Sequence, residues 1–383
     1  MYTMPTTVSH NNNKRLERKR IEQCPTFPRS ISTITPDCRP SCRLSDCMLP
    51  CICMMHEKQT NIQNRSKHTP TYTLLRLAAQ YSRQVYQKPV GQECQCYIGA
   101  DWIHGTKAMV IKSIPLDNLN TIVFAIRGTQ SFHDWAINIK TDPTSPAGFL
   151  DDGDNLCHSG FLSVARKMVA PVAARLRSLI AEDPNRIAHS LVMTGHSAGG
   201  AVASLLFCHM LSGSVRSELT QLRGFFKRVH CVTFGAPPLS LYPLQLPRWN
   251  HLSPHRSMFF AFINEGDPVP RAEKAYIFSL VELYTSPTEK AHDRRRKPLR
   301  WKLPQATLST GGQLVLLRKQ QKPRSSGTAA LRHARRGGGE GVEACMISYA
   351  QLREAVFGDP LKHTMDLYAR RIDELARDVR SLA

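Results

Sequence analysis

From about residue 70 onward, the chain alternates between short apolar runs and longer amphipathic segments. The apolar runs have the length and composition of buried strands, and they lie at 108–114, 121–126, 190–195, 229–234 and 258–263. Apolar residues at helical spacing predict helices at 72–86, 161–182, 201–211 and 364–382. Because strands alternate with helices, we predict a doubly wound α/β domain, with a mostly parallel central sheet and helices on both faces.

Two local features refine this pattern. The first two apolar runs are joined by a short connection that contains Asp117 and Asn118, which favours a hairpin. Pro171 lies inside the 161–182 segment. Because proline lacks an N–H and clashes with the preceding turn, we expect it to kink or break that helix.

Two segments lack the regular pattern. Residues 1–68 are rich in proline, serine, threonine, asparagine and basic residues, which predicts a disordered, Cys-rich basic extension before a folded domain at 69–383. Within that domain, residues from about 286 to 343 combine basic runs with a glycine run, which predicts a flexible basic insertion. Two apolar stretches inside it, 301–304 and 312–318, have the character of an extra strand pair.

The apolar run at 190–195 leads into Gly195-His196-Ser197-Ala198-Gly199, and an apolar helix follows directly. Strand, G-x-S-x-G turn and helix together form the context of a nucleophile elbow. The turn forces strained backbone angles on the central serine, and the flanking glycines remove Cβ atoms that would clash with the neighbouring strand and helix. Ser197 is therefore the candidate nucleophile, and an ordinary Gly/Ser-rich turn is the alternative.

A serine hydroxyl attacks poorly unless an imidazole removes its proton and a carboxylate fixes the imidazole tautomer. In this class of fold the acid and the base follow the serine, on loops beyond strand ends or before a late helix. Asp267 directly follows a strand candidate, and His363 lies in a loop before the last helix. His292 and His333 lie in basic low-complexity sequence, which cannot preorganise an imidazole. His196, inside the elbow, is expected to pack against or orient the turn.

Thr129 ends the Arg127-Gly128-Thr129 turn that follows another strand candidate. A hydroxyl residue after glycine at the end of a central strand can offer both its N–H and its side chain to an oxyanion. The next segment, 132–139, is amphipathic, with Phe132, Trp135 and Ile139 at helical spacing. It is either an ordinary surface helix or a mobile lid over an apolar cleft.

Five motifs occur in an order that is typical of a known family. They are, in chain order, Val123-Phe-Ala-Ile-Arg-Gly-Thr129, Thr194-Gly-His-Ser-Ala-Gly-Gly200, Val232-Thr-Phe-Gly-Ala-Pro237, Gly266-Asp-Pro-Val-Pro270 and His363-Thr-Met-Asp-Leu-Tyr368. Over about residues 70–380 the chain resembles the fungal class 3 lipases. The resemblance implies an α/β-hydrolase fold and hydrolysis of acylglycerols or related lipid esters.

The resemblance also implies a role for each motif residue. Ser197 would be the nucleophile, Asp267 the orienting acid and His363 the base, with an acyl-enzyme intermediate. The backbone N–H groups of Thr129 and Ala198 would form the oxyanion hole, and the segment after Thr129 would occupy the place of the lid. No metal or other cofactor is implied.

The formal net charge of +21 is unusual beside an otherwise ordinary globular composition with 42% hydrophobic residues. Basic clusters lie at 14–20, 294–297 and 332–336, and none is interleaved with the aromatic residues of a nucleic-acid surface. We therefore expect no nucleic-acid partner. Solvated segments are the main interpretation, and peripheral contact with an anionic membrane or lipid-droplet surface is the functional alternative.

No stretch is long and apolar enough to span a bilayer, and the first 23 residues show no signal peptide, so we expect a cytoplasmic protein. Its twelve cysteines are then not expected to form disulfides. Six of them lie within 24–53, at spacings that fit zinc poorly. Acylation of Cys51 or Cys53 is the alternative to a plain Cys-rich segment.

These features set the chain apart from secreted members of the family. The missing signal peptide and the long basic insertion between Asp267 and His363 make it similar to intracellular relatives of the diacylglycerol-lipase type. Three alternatives stay open: a non-catalytic lipid- or membrane-binding protein on the same fold, a phospholipase, and a feruloyl-type esterase.

Overall fold

A computed structural model describes residues 69–87, 97–99, 109–114, 120–129, 142–246, 257–285, 302–320 and 341–381. The predicted N-terminal extension at 1–68 lies outside the described residues. The strands are β1 Tyr97–Ile98, β2 Met109–Ile114, β3 Thr121–Ile126, β4 Pro143–Thr144, β5 Cys157–His158, β6 Ser190–His196, β7 Arg228–Phe234, β8 Phe259–Asn264, β9 Gln313–Lys319 and β10 Val342–Ile347. The α-helices are α1 Thr69–Gln84, α2 Ser159–Glu182, α3 Ala198–Met210, α4 Glu218–Gln221, α5 Lys274–Thr285, α6 Tyr349–Glu354 and α7 Met365–Ser381.

Eight of the described strands form one sheet, in the order β1-β2-β3-β6-β7-β8-β9-β10. The run from β3 to β9 is parallel, whereas the β1–β2, β2–β3 and β9–β10 pairs are antiparallel. Ile126 pairs with Gly195, and Gly195 pairs with Thr233, so β3, β6 and β7 end at nearly the same level. The mostly parallel sheet confirms the predicted α/β class, and the β2–β3 pair confirms the predicted hairpin.

Helices pack on both faces of this sheet because its central strands are apolar on both sides. The residues of β3, β6 and β7 are buried along nearly their whole length. On one face, α2 and α3 form a core cluster with Leu191 and Met193, and on the other face α1 and α7 pack around Val192 and Val232. Successive residues of β6 thus point to opposite faces, as strand geometry requires. This mostly parallel sheet with helices on both faces is the architecture that the resemblance to α/β-hydrolases implies.

The α2 helix runs without interruption from Ser159 to Glu182 and contains Pro171. Of the kink or break that was expected at the proline, the break does not occur. Met168 and Val172, on either side of the proline, are both fully buried in the main core cluster. Burial of the surrounding helix outweighs the roughly 3 kcal/mol that an internal proline costs.

The region that was predicted as a flexible basic insertion contributes strand β9 to the sheet, and β10 begins at its last residues. β9 pairs parallel with β8 and antiparallel with β10, and not with the described residues 302–304 of the predicted strand pair. The reason is burial, because Leu314 and Leu317 are almost completely removed from solvent in the sheet. The parts at 286–301 and 321–340 lie outside the described residues.

Within the described ranges, no helix combines the length and the apolar character that crossing a membrane would need.

Candidate active site

Ser197 lies at the sharp turn between β6 and α3, with φ 56° and ψ −134°. A positive φ is uncommon outside glycine, and such backbone strain costs on the order of 1–3 kcal/mol. Two hydrogen bonds hold the turn: the Ser197 N–H donates to the Phe234 carbonyl, and the Gly200 N–H donates to the Ser197 carbonyl, both at 2.9 Å. The side chain makes no capping bond to α3, so the hydroxyl is not committed to its own helix.

Close backbone contacts require both glycines of the turn. A Cβ atom at Gly195 would lie 2.5 Å from the carbonyl carbon of Gly199, and one at Gly199 would overlap the carbonyl oxygen of Ile126 at the end of β3. Real Cβ atoms do not approach backbone atoms so closely. The G-x-S-x-G spacing therefore lets α3 begin directly against the ends of β6 and β3, as a nucleophile elbow requires.

Asp267 and His363 form a direct pair. Asp267 follows the end of β8 and is fully buried, and His363 ends the 3-10 turn Pro360–His363, just before α7. The distance from His363 Nδ1 to Asp267 Oδ2 is 2.9 Å. Because a carboxylate can only accept a hydrogen bond, Nδ1 carries the proton and Nε2 is the basic nitrogen.

Two further groups hold the Asp267 carboxylate. Tyr368 donates its hydroxyl to Oδ2 at 2.6 Å, and the Val269 N–H donates to Oδ1 at 2.9 Å. Burial, reinforced by the negative charge of Asp267, raises the pKa of Tyr368 well above its usual value, so the phenol keeps its proton. The Tyr368 oxygen in turn accepts the Asn264 N–H at 2.9 Å. The acid is thus anchored from both its oxygens.

The residue after β7, Gly235, lies against the acid–base pair and has φ 56°. A Cβ atom at this position would lie 2.8 Å from Asp267 Oδ2 and 3.0 Å from His363 Nδ1. Both the backbone angle and the crowding therefore require glycine. The pair packs directly against the end of β7, the strand between β6 and β8.

The segment that carries His363 is tied to the sheet through Asn264 and Arg371, which are both buried. Asn264 Nδ2 donates to the Lys362 carbonyl at 2.8 Å. Arg371 Nη1 donates to Asn264 Oδ1 at 2.9 Å and to the Leu317 carbonyl at 2.7 Å. Because Leu317 belongs to β9, a strand from the predicted insertion helps to hold the base in place.

His196 is buried beside His363, and the centroids of the two rings are 4.5 Å apart. Its Nε2 lies 2.6 Å from the His363 carbonyl oxygen, and its Nδ1 lies 3.0 Å from the Tyr86 hydroxyl. Burial, and to a smaller extent the neighbouring His363, lowers the pKa of His196 well below its usual value. A neutral ring that makes two hydrogen bonds fits the orienting role that the position of His196 in the elbow predicts.

The two predicted oxyanion donors lie on backbone that borders Ser197. Thr129 follows Gly128, whose missing Cβ would lie 3.2 Å from Ser197 Cβ. The Gly128 N–H donates to the Tyr86 hydroxyl at 3.2 Å. Ala198 is the first residue of α3, where backbone N–H groups have no partner within the helix. Such groups are suited to stabilise a developing negative charge.

Because β3, β6 and β8 run parallel, their carboxyl ends lie at one edge of the sheet. That edge carries the predicted site residues of three strand ends and of the late loop, namely Thr129, Ser197, Asp267 and His363. Outside the described residues lie the lid candidates Phe132, Trp135 and Ile139. In the described part of the chain, no group of three His, Cys, Asp or Glu side chains is arranged to hold a metal ion.

Sequence reasoning missed several residues that support this site. Tyr368 closes the motif that begins with His363 and lies in the predicted helix 364–382, but no role was predicted for it. A buried tyrosine usually finds a partner for its hydroxyl, and this signal could have pointed to one. Tyr86 gave no local signal, because 110 residues separate it from its partner His196.

Residues 123–276 match the family model described as Lipase (class 3). The secreted mono- and diacylglycerol lipase A of Penicillium cyclopium is 27% identical over 229 residues, which cover 55% of this chain and 65% of that protein. Phospholipase A1-II 2 of Oryza sativa subsp. indica is 29% identical over 136 residues, which cover 30% of this chain and 33% of that protein. The match thus spans less than two thirds of the length of either relative. Among solved structures, a triacylglycerol lipase from Penicillium expansum is 16% identical with a TM-score of 0.41, covering 65% of this chain and 80% of that one.

Proposed function

We propose that this chain is a class 3 lipase, as the family match over residues 123–276 supports, and that it hydrolyses carboxylic esters of lipids, with acylglycerols as its substrates. The observation that carries the proposal is the buried Asp267–His363 pair at the same sheet edge as Ser197. The strained backbone of Ser197 supports its role as the nucleophile. The likeness to a mono- and diacylglycerol lipase supports the substrate class.

In the first half of the proposed reaction, Ser197 Oγ attacks the ester carbonyl carbon, and its proton passes to His363 Nε2. Asp267 accepts the Nδ1–H and stabilises the imidazolium that forms. The carbonyl oxygen becomes an oxyanion, which accepts hydrogen bonds from the N–H groups of Thr129 and Ala198. The imidazolium then gives its proton to the leaving alcohol, and an ester of Ser197 with the fatty acyl group remains.

Water completes the cycle. His363 Nε2 takes a proton from the water as its oxygen attacks the acyl carbon, and the fatty acid leaves as Ser197 recovers a proton from His363. The neutral state of His196 matters here, because a second positive charge beside the imidazolium would oppose both steps.

A fluorophosphonate probe, which reacts with an activated serine, tests the nucleophile. We expect the unmodified chain to be labelled and to turn over a p-nitrophenyl ester, and Ser197→Ala to do neither while it folds normally. Ser204→Ala is the matched control, because Ser204 is also buried on α3 and donates its hydroxyl to the Gly200 carbonyl at 3.0 Å. That variant should keep both properties. Labelling that persists in Ser197→Ala would contradict the assignment.

A non-catalytic lipid- or membrane-binding protein on the same fold is the alternative from another class. If this alternative is correct, the fluorophosphonate probe does not label the unmodified chain, and the chain does not turn over the p-nitrophenyl ester. The complete set of Ser197, Asp267 and His363 argues against it, because binding alone gives no reason to bury a hydrogen-bonded acid–base pair.

Phospholipids are a second substrate candidate, since one relative is named as a phospholipase A1. Mono-, di- and triacylglycerols, phosphatidylcholine and a feruloyl ester should be compared at equal concentration in the same detergent. We expect the acylglycerols to be hydrolysed fastest. Faster release of fatty acid from phosphatidylcholine would assign the phospholipase activity instead, and faster feruloyl cleavage would exclude the lipid substrates.

We further propose that the net charge of +21 draws the chain to anionic lipid surfaces. Sedimentation with vesicles that contain or lack phosphatidylserine tests this idea, and added salt should weaken the binding because it screens exposed charges. Binding that is equal at low and high salt would contradict it. The cytoplasmic location stays a prediction, and the Penicillium relative is named as a secreted enzyme.

A further inference from the structure

Two side chains that take no part in the proposed proton transfers connect three separate backbone segments. The Gly128 N–H, next to Thr129, lies 3.2 Å from the Tyr86 hydroxyl oxygen. That oxygen lies 3.0 Å from His196 Nδ1, and His196 Nε2 lies 2.6 Å from the carbonyl oxygen of His363. This series of bonds, here called the Tyr86–His196 bridge, runs from the oxyanion segment past the elbow to the base.

Each bond in the bridge has only one possible direction. The carbonyl of His363 can only accept, so His196 Nε2 carries a proton. Because burial keeps the His196 ring neutral, its Nδ1 can only accept, which makes Tyr86 the donor. The Tyr86 oxygen then accepts the Gly128 N–H. Burial also raises the pKa of Tyr86 to about 12, so its hydroxyl keeps the proton that the bridge needs.

We propose that Tyr86 and His196 are positioning residues that fix the oxyanion segment and the base His363 relative to Ser197. The inference rests on the proposed function, and it adds two residues that act through others rather than on the substrate. Neither residue is part of the Ser-Asp-His arrangement.

The bridge does something that the Asp267 bond alone does not. Asp267 holds Nδ1 and therefore fixes how the His363 ring is rotated. His196 holds the backbone carbonyl of His363, and so it fixes where the whole residue lies. Because His196 directly precedes Ser197 in the chain, the bond also ties the base to the backbone of the nucleophile. Nucleophile and base are thereby held in register across two segments that are 167 residues apart.

A neutral ring is the right group for this place. His363 gains a positive charge in the proposed reaction, and its ring centroid is 4.5 Å from that of His196. A cationic side chain there would oppose imidazolium formation, whereas a neutral imidazole does not. Histidine also offers one donor and one acceptor on a rigid ring, which is what a bridge between Tyr86 and a carbonyl requires.

The test compares Tyr86→Phe with Tyr349→Phe, since each change removes one hydroxyl and keeps the ring. Tyr349 donates to the carbonyl of Gly312 at the start of β9, at the sheet edge opposite Ser197. Burial raises its pKa to about 12 as well, so both hydroxyls keep their protons and each donates to one acceptor. At the other end of the bridge, His196→Gln keeps an N–H donor and His196→Leu removes it.

For each variant we would measure kcat and KM for a soluble p-nitrophenyl ester, the rate of fluorophosphonate labelling and the melting temperature. A misplacement of about 1 Å can cost on the order of 10²-fold in rate. We therefore expect Tyr86→Phe to lower kcat and the labelling rate roughly tenfold or more, with KM nearly unchanged. Tyr349→Phe should lose similar thermal stability but keep both rates, and His196→Gln should keep more of kcat than His196→Leu.

Rates that fall equally in Tyr86→Phe and Tyr349→Phe, in proportion to lost stability, would show a merely structural role and overturn the inference. Equal kcat losses in the two His196 variants would overturn the part assigned to its donor. Labelling of the unmodified chain distinguishes a failure of this inference from a failure of the proposed function. If it is labelled at Ser197 and the variants behave alike, only the bridge fails. If it is not labelled, the proposed function fails and the bridge falls with it.

Discussion

The contact between Gly235 and the acid–base pair predicts a large effect of a single methyl group. Gly235→Ala would place a Cβ atom 2.8 Å from Asp267 Oδ2 and 3.0 Å from His363 Nδ1, where ordinary contacts begin at 3.4 Å. The pair must therefore shift by several tenths of an ångström. Since a misplacement of about 1 Å can lower a rate on the order of 10²-fold, we expect kcat to fall roughly tenfold or more.

A second cost comes from the backbone and can be separated by a control. Gly235 has φ 56°, and an alanine in the left-handed region costs about 1–2 kcal/mol. Gly148 has φ 71° and nothing within 4 Å of its missing Cβ. Gly148→Ala therefore carries the backbone cost without the crowding, and it should lose stability while it keeps its activity.

The assay has two parts. Urea unfolding gives the free energy of unfolding of both variants, and kcat for a p-nitrophenyl ester is measured under conditions where each variant is fully folded. We expect both glycine variants to lose at least about 1 kcal/mol, and Gly235→Ala alone to lose kcat. Equal kcat in the two variants would refute the reasoning, because the crowding at the acid–base pair would then have no effect on catalysis.

Three other perturbations test separate parts of the structure. Tyr368→Phe removes a hydroxyl that donates to the Asp267 carboxylate. Because hydrogen bonds to charged groups contribute roughly 1.5–3 kcal/mol, the free energy of unfolding and kcat should both fall. An unchanged free energy of unfolding in urea would contradict this contribution. Thr129→Val keeps the N–H but removes the hydroxyl. If the hydroxyl is an oxyanion donor, its loss should lower kcat on the order of 10²-fold. An unchanged kcat would show that the hydroxyl does not contribute to the oxyanion hole. Burial lowers the pKa of both His158 and His230 from the ordinary 6.5 to about 4, so each takes up a proton on unfolding below pH 6.5. Stability should therefore be complete above pH 6.5 and fall as the pH is lowered towards 4, and His230→Gln should reduce that slope in urea titrations; an identical slope would show that His230 does not contribute.

The pattern of apolar and polar residues was sufficient to predict the elements that depend on local sequence. Apolar runs predicted β3, β6, β7 and β8, because a strand buried on both faces is apolar over its whole length. The G-x-S-x-G turn predicted the position of Ser197, since the crowding that excludes a side chain at Gly195 comes from Gly199 and Gly200 within the same turn, although the crowding at Gly199 comes from the end of β3. Order along the chain was also enough to select Asp267 and His363 as a pair.

Other features depended on packing between distant segments. Pro171 does not break α2, because burial against the core outweighs a local preference. Likewise β9 is a strand of the main sheet although basic runs surround it in sequence, because its apolar residues fill a place beside β8. Local composition showed the basic residues that flank β9 in sequence, but it did not show that β9 lies beside β8 in the folded chain.

Sequence by itself thus determined the α/β class, the elbow and the residues proposed for the chemistry, because each is encoded in a short stretch whose backbone geometry is local. Only the tertiary structure decided what holds those residues in place. Tyr368 on Asp267, Gly235 against the pair, and the Tyr86–His196 bridge all join segments that are far apart in the chain. Such contacts follow from how the sheet brings its strand ends together, and a local pattern carries no record of them.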